Sequence, residues 1–298
     1  MTSDNEYFTT RELADYLRIK ERKVYDLAAS GDVPCTRATG KLLFPRREVE
    51  AWLAGHHSGP TISTALALPG VFLGSHDPLL EWALKESGCG LASYFDGSLD
   101  GIERFGAGGG VATSMHLYEP DNNTWNVTTI AEQFEGKPVV LIEFAWRERG
   151  LVFDPQRISH RGTSAIESIE SLRSLRVVPR QGSAGSQVLL LKLLADHGIG
   201  LDEITFVSVA HTETDAVTAV LEGAADVTLG LHGIARRYSL GFTPVIHERF
   251  DLLVDRRAWF EPDFQMFVRF CTTPAFAERA EALGGYDISG LGTVCFNG

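Results

Sequence analysis

Residues 9–31 read TTRELADYLRIKERKVYDLAASG, and this stretch predicts two short helices around a tight turn. Thr9 and Glu12 have the spacing of a capping box, in which each residue satisfies a free backbone amide of the other at a helix start. Apolar residues then recur at helical spacing up to a three-residue turn, 18–20. A second helix is predicted from Glu21 to Ser30, because Gly31 ends the periodic pattern.

A small hairpin and a third helix complete this segment. Residues 33–45 predict the hairpin, with Thr39-Gly40 near its tip, and residues 46–53 (RREVEAWL) predict the helix. Taken together, residues 7–54 resemble the winged helix-turn-helix of the excisionase and MerR-like families, with TTRELADYL, ERKVYDLAASGDVP, a Gly-Lys wing and RREVEAWL in order. The resemblance implies that the second helix enters the major groove of double-stranded DNA.

The same resemblance implies which side chains contact DNA. Basic and aromatic residues of the turn, the second helix and the wing are expected to do so, namely Arg18, Lys20, Arg22, Lys23, Tyr25, Arg37 and Lys41. Arginine and lysine can donate to guanine edges and also neutralise phosphates. The alternative is a three-helix protein-interaction module whose basic residues only solvate one face. One such module buries little DNA surface, so we expect a homodimer or higher homo-oligomer that reads two half-sites.

The chain has a net charge of −12, which at first argues against a nucleic-acid partner. The charge is unevenly placed, however, because residues 1–57 contain nine basic and nine acidic residues and are formally neutral. The acidic excess therefore belongs to residues 58–298. Since the local field at the contact decides DNA binding, an acidic body joined to a neutral head is compatible with it.

Strands and helices alternate from about residue 70 onward, in two series that meet near residue 160. This alternation predicts an α/β domain of two lobes, with parallel sheets covered by helices on both faces. The lobes are expected to connect near 155–175 and 255–270. The predicted organisation is a helix-turn-helix domain, a Gly/Pro-containing linker and a ligand-sensing domain, at residues 1–55, 56–69 and 70–298.

Small hydroxyl residues recur where predicted strands turn into helices. They are Ser75, Ser98, Thr113, Ser114, Ser183 and Ser186. Helix N-termini carry unpaired amides and a partial positive charge, and in open α/β sheets such turns meet at the carboxyl ends of the strands. The pattern predicts a cleft that holds an anion. The alternative is that each hydroxyl only caps its own helix.

Residues 70–260 resemble the type II periplasmic-binding-protein-like domains of bacterial one-component regulators, which are similar to molybdate- and tungstate-binding proteins. The resemblance rests on GSHDPLL at 74–80, RQGSAGS at 180–186 and GAADVTLG at 223–230. It implies a molybdate- or tungstate-type oxyanion as effector. The family usually has Gly-Ser-Gly-Thr where this chain has GSAGS, so a small organic carboxylate or sulfonate stays open.

Five further side chains extend the candidate ligand site. His76, Arg180 and Glu213 are added to the hydroxyl set, and His116 and Trp125 join His76 and Arg180 as contacts for a larger anionic or aromatic ligand. A guanidinium favours a carboxylate or sulfonate over an ion that neutral hydroxyls and amides would hold.

Other classes of function lack their usual patterns. The serine of the GSAG stretch does not stand in a G-x-S-x-G elbow, no P-loop or H-E-x-x-H occurs, and the four cysteines are scattered. We therefore predict no enzyme, no cofactor and no metal. Without a signal peptide or a membrane-spanning apolar run, the protein is expected to be cytoplasmic. Three functions remain: a ligand-responsive transcription factor, favoured here, an architectural DNA-binding protein, or an enzyme with a DNA-binding head.

Overall fold

A computed structural model describes residues 6–37, 40–55, 68–160 and 166–298. The chain divides into two compact units, Met1–Leu66 and Ala67–Gly298. Residues 56–67 of the predicted linker and Thr39 of the predicted wing lie outside the described residues. No helix in the described ranges is both long enough and apolar enough to cross a membrane.

The N-terminal unit contains the predicted helix-turn-helix. Its described elements are β1 (Tyr7–Thr9), α1 (Thr10–Leu17), α2 (Glu21–Ser30), β2 (Leu43–Pro45) and α3 (Arg46–Gly55). The capping box is present, because Thr9 Oγ1 accepts from the Glu12 amide at 3.3 Å and the Glu12 carboxylate accepts from the Thr9 amide at 2.8 Å. Arg18 ends α1 in the left-handed conformation, and Gly31 ends α2 in the same way.

The described part of the predicted hairpin of residues 33–45 contains an antiparallel bridge between Thr36 and Leu43. Strand β2 also pairs with β1, which the sequence did not predict as a strand, and Phe8 lies opposite Phe44. Both phenylalanines are buried in the core of this unit, so the ladder forms where it can bury the two rings.

The C-terminal unit is an α/β domain. Its described strands and α-helices are β3 (Val71–Gly74), α4 (Pro78–Glu86), β4 (Ala92–Phe95), α5 (Ser98–Gly106), β5 (Ala112–Met115), β6 (Tyr118–Glu119), β7 (Thr124–Trp125), α6 (Val127–Phe134), β8 (Val139–Phe153), α7 (Pro155–Ser159), β9 (Arg176–Val178), α8 (Gly185–Asp196), β10 (Thr205–Phe206), α9 (Glu213–Leu221), β11 (Val227–Leu231), α10 (His232–Arg237), β12 (Gly241–Asp255), α11 (Pro262–Cys271), α12 (Pro274–Leu283), β13 (Tyr286–Asp287) and β14 (Val294–Asn297).

One continuous sheet runs through both lobes of this unit. Its order in the described residues is β10-β9-β11-β8-β12-β5-β3-β4, with β13 and β14 beside β8. Strands β3, β4 and β5 are parallel to one another, as are β9, β10 and β11. The central strands β8 and β12 are antiparallel to each other and to their neighbours β11 and β5. The predicted parallel sheets therefore occur only at the two ends.

The connection between the lobes differs from the expectation. The sequence predicted that the chain crosses between the lobes near 155–175 and 255–270. The structure instead has two strands of 15 residues, β8 and β12, which pass from one lobe into the other and pair with register shifts at Pro244/Ile246 and Phe250/Asp251. Polar residues interrupt the apolar pattern in mid-strand, but they pair with one another across the ladder, so the strands continue.

Each lobe has its own apolar core. The first lobe packs aromatic rings between the sheet and α11 and α12, including Phe72, Phe144, Phe250, Phe264, Phe267 and Phe276. The second lobe packs mainly aliphatic side chains around α8, including Leu151, Leu189, Leu190, Leu194 and Val227. Because the cores are separate, the region between them is free to carry polar groups.

Candidate functional site

A narrow cleft lies between the two lobes of the C-terminal unit. Its lining residues are Ser75, His76, Phe95, Gly97, His116, Arg180, Ala184, Ser186, His211, Thr212 and Glu213. The enclosed volume is about 20 Å³, which has room for about one water molecule. The lobes are thus closed around a small space whose wall contains both polar and apolar surface.

Three helices of the described chain begin at this cleft. Gly97 precedes α5, Ala184 precedes α8 and Thr212 precedes α9, and all three residues line the space. Thr212 forms a capping box with Asp215 at the start of α9, whereas α5 and α8 begin without a side-chain cap. Uncapped helix starts offer backbone N–H donors and a partial positive charge, which suit an anion.

Two of the predicted serines line the cleft, and a third supports one of them. Ser75 and Ser98 share a hydrogen bond of 2.7 Å between their hydroxyl oxygens, and Ser98 Oγ also accepts from the His116 amide at 3.3 Å. Ser186 is only 2% exposed, and its Oγ has no hydrogen-bond partner among the described residues. A buried hydroxyl without a partner is costly, so Ser186 has donor capacity to offer a bound group.

Three other predicted hydroxyls serve the packing around the cleft and do not line it. Ser114 Oγ donates to the carbonyls of Leu73 and Ser75 at 3.1 and 2.7 Å. Thr113 packs closely against Gly101 of α5. A Cβ atom added to Gly101 would lie only 2.5 Å from Thr113 Oγ1, so this contact requires glycine. Ser183 Oγ donates to a backbone carbonyl of the opposite lobe at 3.2 Å and so contributes to the closed arrangement.

A chain of buried charges connects the cleft to the centre of the sheet. We call it the charge network, and its members are Asp77, Arg147, Glu248, Arg149, Glu213 and Arg180. Arg147 donates to Asp77 at 2.8 Å and also to Glu248. Arg149 donates to Glu248 and Glu213, both at 2.8 Å. Arg147 lies opposite Glu248 in the ladder of β8 and β12, so the network lies where the two strands change lobes.

The protonation states within the network follow from its contacts. Burial alone would raise the pKa of Glu248, but Arg147 and Arg149 hold that pKa well below its ordinary value. Burial lowers the pKa of His116 despite the neighbouring carboxylate, so the imidazole is neutral near pH 7. Because Glu248 is ionised and can only accept, His116 Nδ1 donates to it at 3.0 Å.

Arg180 is the least compensated guanidinium of the network. It donates to the carbonyls of Ala210 and His211 at 3.2 and 3.0 Å and lies 3.4 Å from Glu213 Oε1. Burial lowers the pKa of Arg180, since Glu213 is shared with Arg149 and only partly offsets the loss of solvent. An anion bound in the cleft would offset the remaining positive charge of Arg180.

Several contacts of the cleft were absent from the sequence prediction. Arg147 and Arg149 alternate in an apolar strand, and the period of two places them on one buried face, which was a usable signal. Asp77 was not predicted as a site residue: one oxygen caps α4 by accepting from the Leu80 amide at 2.8 Å, and the other accepts from Arg147 and Tyr286. Trp125, expected as a possible ligand contact, packs in the core of the second lobe.

The predicted DNA-contacting residues are all exposed in the N-terminal unit. Arg22, Lys23 and Tyr25 lie on the outer face of α2, and Arg18 and Lys20 lie on the turn before it. Tyr25, Arg37 and Lys41 line a groove of about 680 Å³ between the helices and the wing. Arg11 lines the same groove, but the sequence did not predict it as a DNA contact. The periodicity of α1 indicates that Arg11 is exposed, but it does not indicate that Arg11 lies near the wing.

Metal ligands are not clustered in the described ranges. No group of three or more His, Cys, Asp or Glu side chains there could hold a metal ion.

Comparison with known proteins matches both units to described domains. The family model of the PBP superfamily domain matches residues 81–272, and a helix-turn-helix domain model matches residues 7–57. The uncharacterized protein YvgK of Bacillus subtilis (strain 168) is 24% identical over 268 residues, which cover 83% of this chain and 84% of that protein.

Solved structures resemble the chain at low sequence identity. A putative phosphate ABC transporter substrate-binding protein with bound phosphate from Clostridium perfringens is 12% identical, with a TM-score of 0.51 over 72% of this chain and 96% of that chain. Full-length CbnR complexed with its target DNA is 15% identical, with a TM-score of 0.43 over 88% of this chain and 92% of that chain. The first of these likenesses concerns the fold of the C-terminal unit alone.

Proposed function

The chain belongs to the PBP superfamily and carries a helix-turn-helix domain ahead of that domain, and on this premise we propose that it is a ligand-responsive transcriptional regulator. The N-terminal unit binds operator DNA through α2 and the wing. The C-terminal unit binds a small anion between its lobes. Such a pair of domains indicates a regulator and not an enzyme.

The cleft itself carries the ligand half of the proposal. Two uncapped helix starts, the hydroxyl of Ser186, which has no partner among the described residues, and the undercompensated guanidinium of Arg180 meet in one closed space. Each of these features favours negative charge or hydrogen-bond acceptors. An oxyanion satisfies all of them at once, whereas a neutral apolar ligand satisfies none.

Size and charge favour two classes of anion in the cleft. The small size of the cleft favours a compact tetrahedral oxyanion of the molybdate or tungstate type, because the lobes have to part less for it than for a larger ligand. The guanidinium of Arg180 supports a small organic carboxylate or sulfonate as the alternative, because it can donate two parallel hydrogen bonds to such a group. The solved relative with bound phosphate makes phosphate a third ion to test.

Ligand binding is expected to act through the lobes. A bound anion contacts Ser75 of the first lobe and Ser186 of the second, and thereby stabilises their closed arrangement. We propose that this shift in population changes how a homodimer presents its two helix-turn-helix domains to two half-sites.

Thermal unfolding tests the ligand. Molybdate, tungstate, sulfate, phosphate and small carboxylates are each added to the full chain at 1 mM. An ion present at 100 times its Kd stabilises by about 2.7 kcal/mol, which corresponds to a Tm increase of roughly 5–10 °C for a domain of this size. Ser186→Ala is expected to reduce the increase. Ser87→Ala, at the end of α4 and away from the cleft, is the matched control. No Tm increase with any of the ions contradicts the proposed ligand class.

Gel retardation tests the DNA half. Duplexes are first selected by the wild-type protein from a random-sequence pool, and their affinities for variants are then compared. Arg22→Ala with Lys23→Ala is expected to weaken binding by at least about 30-fold, since each base or phosphate contact contributes about 1–3 kcal/mol. The charge-matched control is Arg257→Ala with Arg269→Ala, two exposed residues of the C-terminal unit. Equal retention of both variants contradicts the assignment of α2 to the groove.

A further inference from the structure

A second cavity lies beside the cleft, and it is lined by helices of both lobes. Its volume is about 230 Å³, and its walls include Trp82 and Lys85 of α4, Arg237 and Tyr238 at the end of α10, and Arg279 and Leu283 of α12. His76 lines this cavity as well as the cleft. The second cavity is thus a separate space that shares one side chain with the cleft.

Positive charge predominates among the residues around the second cavity. Lys85 is paired with Glu81 at 2.8 Å, and Glu81 also accepts from His76 at 3.0 Å. Arg237 and Arg279 have no carboxylate within ion-pair distance among the described residues, and Arg279 Nε is buried without a hydrogen-bond partner. Two guanidiniums therefore have donors that this part of the chain leaves unused.

Apolar and aromatic surface completes the second cavity. The Arg279 guanidinium lies 5.6 Å from the centre of the Trp82 ring, and that of Arg237 lies 5.8 Å from the centre of the Tyr238 ring. Leu283 adds an aliphatic side chain. A hydrated inorganic ion would satisfy the guanidiniums but would leave the cavity-facing surfaces of Trp82, Tyr238 and Leu283 in contact with water. A neutral apolar molecule would leave the buried Arg279 Nε unsatisfied.

We propose that the second cavity binds a small organic carboxylate with an aromatic or apolar body. Its carboxylate accepts from Arg279 and Arg237, and its body packs against Trp82, Tyr238 and Leu283. Binding pockets of this kind combine an apolar wall with a few placed polar groups. The inference goes beyond the proposed anion site of the cleft and does not depend on it, since the two spaces have different donors.

Isothermal titration calorimetry with benzoate tests the site on the full chain. Wild-type protein is expected to bind benzoate but not benzyl alcohol, which has the ring without the charge. Arg279→Gln is expected to weaken benzoate binding at least tenfold. Arg269→Gln removes the same charge from an exposed position on α11 and is expected to bind as wild type does. Arg237→Gln, also at an exposed position, provides a second variant if Arg279→Gln does not fold.

The cleft variant separates the two sites. Ser186→Ala is expected to bind benzoate with the affinity of the wild type. The inference is overturned if wild type does not bind benzoate, or if binding is lost in Ser186→Ala but unchanged in both Arg279→Gln and Arg237→Gln. Failure of every oxyanion to stabilise the protein would instead contradict the proposed function of the cleft and leave this result intact.

Discussion

The two units of the chain place their cations differently. In the N-terminal unit, Arg22 and Lys23 on α2 and Lys41 beside the groove are exposed. In the C-terminal unit, Arg147 and Arg149 are each 1% exposed and lie between carboxylates. Exposed cations remain available to a polyanion and contribute little to folding. Buried cations must be paired, so they constrain the strands and helices that supply their partners. Under the proposed function, the first unit uses exposed charge to bind DNA, whereas the second pairs buried charges between the strands that join its two lobes.

Breaking the charge network gives the largest expected effect. Glu248→Gln leaves Arg147 and Arg149 with one carboxylate each, and we expect a loss of about 3–5 kcal/mol in the free energy of unfolding, as for other buried pairs that lose one partner. Urea denaturation measures the loss. Glu222→Gln, an exposed glutamate at the end of α9, is the control. A loss below about 1 kcal/mol would mean that the buried charges do not hold the lobes together.

Asp251 is a second buried acid of the C-terminal unit, and its burial predicts a measurable pH dependence of stability. Burial raises the pKa of Asp251 to about 6 from its ordinary value of 3.8, despite Arg249 and Asn126. Because the folded state binds this proton more tightly, the associated stability is present at low pH and is lost as pH rises through 6. Between pH 4 and 7 the wild type should therefore lose about 2 kcal/mol relative to Asp251→Asn.

Denaturation at several pH values checks this expectation. Asp263→Asn removes an exposed carboxylate from α11 and serves as the control. Parallel curves for wild type and Asp251→Asn would show that Asp251 titrates as an exposed residue does.

Removing a local cap is expected to have a smaller effect in the N-terminal unit. Thr9→Ala deletes the acceptor of the capping box at α1 and should cost about 1 kcal/mol. Thr10→Ala, one residue further on, has no part in the capping box and is the matched control. The loss is read from thermal unfolding followed by circular dichroism. Equal destabilisation by the two substitutions would assign the effect to helix propensity and not to the cap.

The smallest expected change in stability concerns the exposed cations. Arg22→Ala with Lys23→Ala should alter the free energy of unfolding by no more than about 0.5 kcal/mol, although it weakens DNA binding. Val24→Ala, on the buried face of the same helix, should destabilise the unit instead. A large destabilisation by the double substitution would show that Arg22 and Lys23 stabilise the fold of the N-terminal unit.

Prediction succeeded where the determining contacts are local. Thr9, Glu12 and Gly31 lie within a few residues of the helix ends that they form, and Asp77 and Pro78 start α4 in the same way. The sequence also showed hydroxyl residues at the strand–helix turns, but it did not predict which of them line the cleft. Ser186 and Ser114 have the same chemistry, and only the packing of distant segments separates the hydroxyl that lines the cleft from the one that binds backbone carbonyls.

The sequence by itself determined the helix-turn-helix, the α/β class of the larger unit and the helix starts that reach the cleft, because each depends on residues within one or two turns of chain. The tertiary structure alone decided the rest. Arg147 and Glu248 are 101 residues apart in sequence, and their pairing keeps β8 and β12 unbroken across both lobes. The alternation of Arg147 and Arg149 marks a buried face, but it gives no local signal of the partner, since a buried charge is tolerated only when a partner from elsewhere in the fold offsets its loss of solvent.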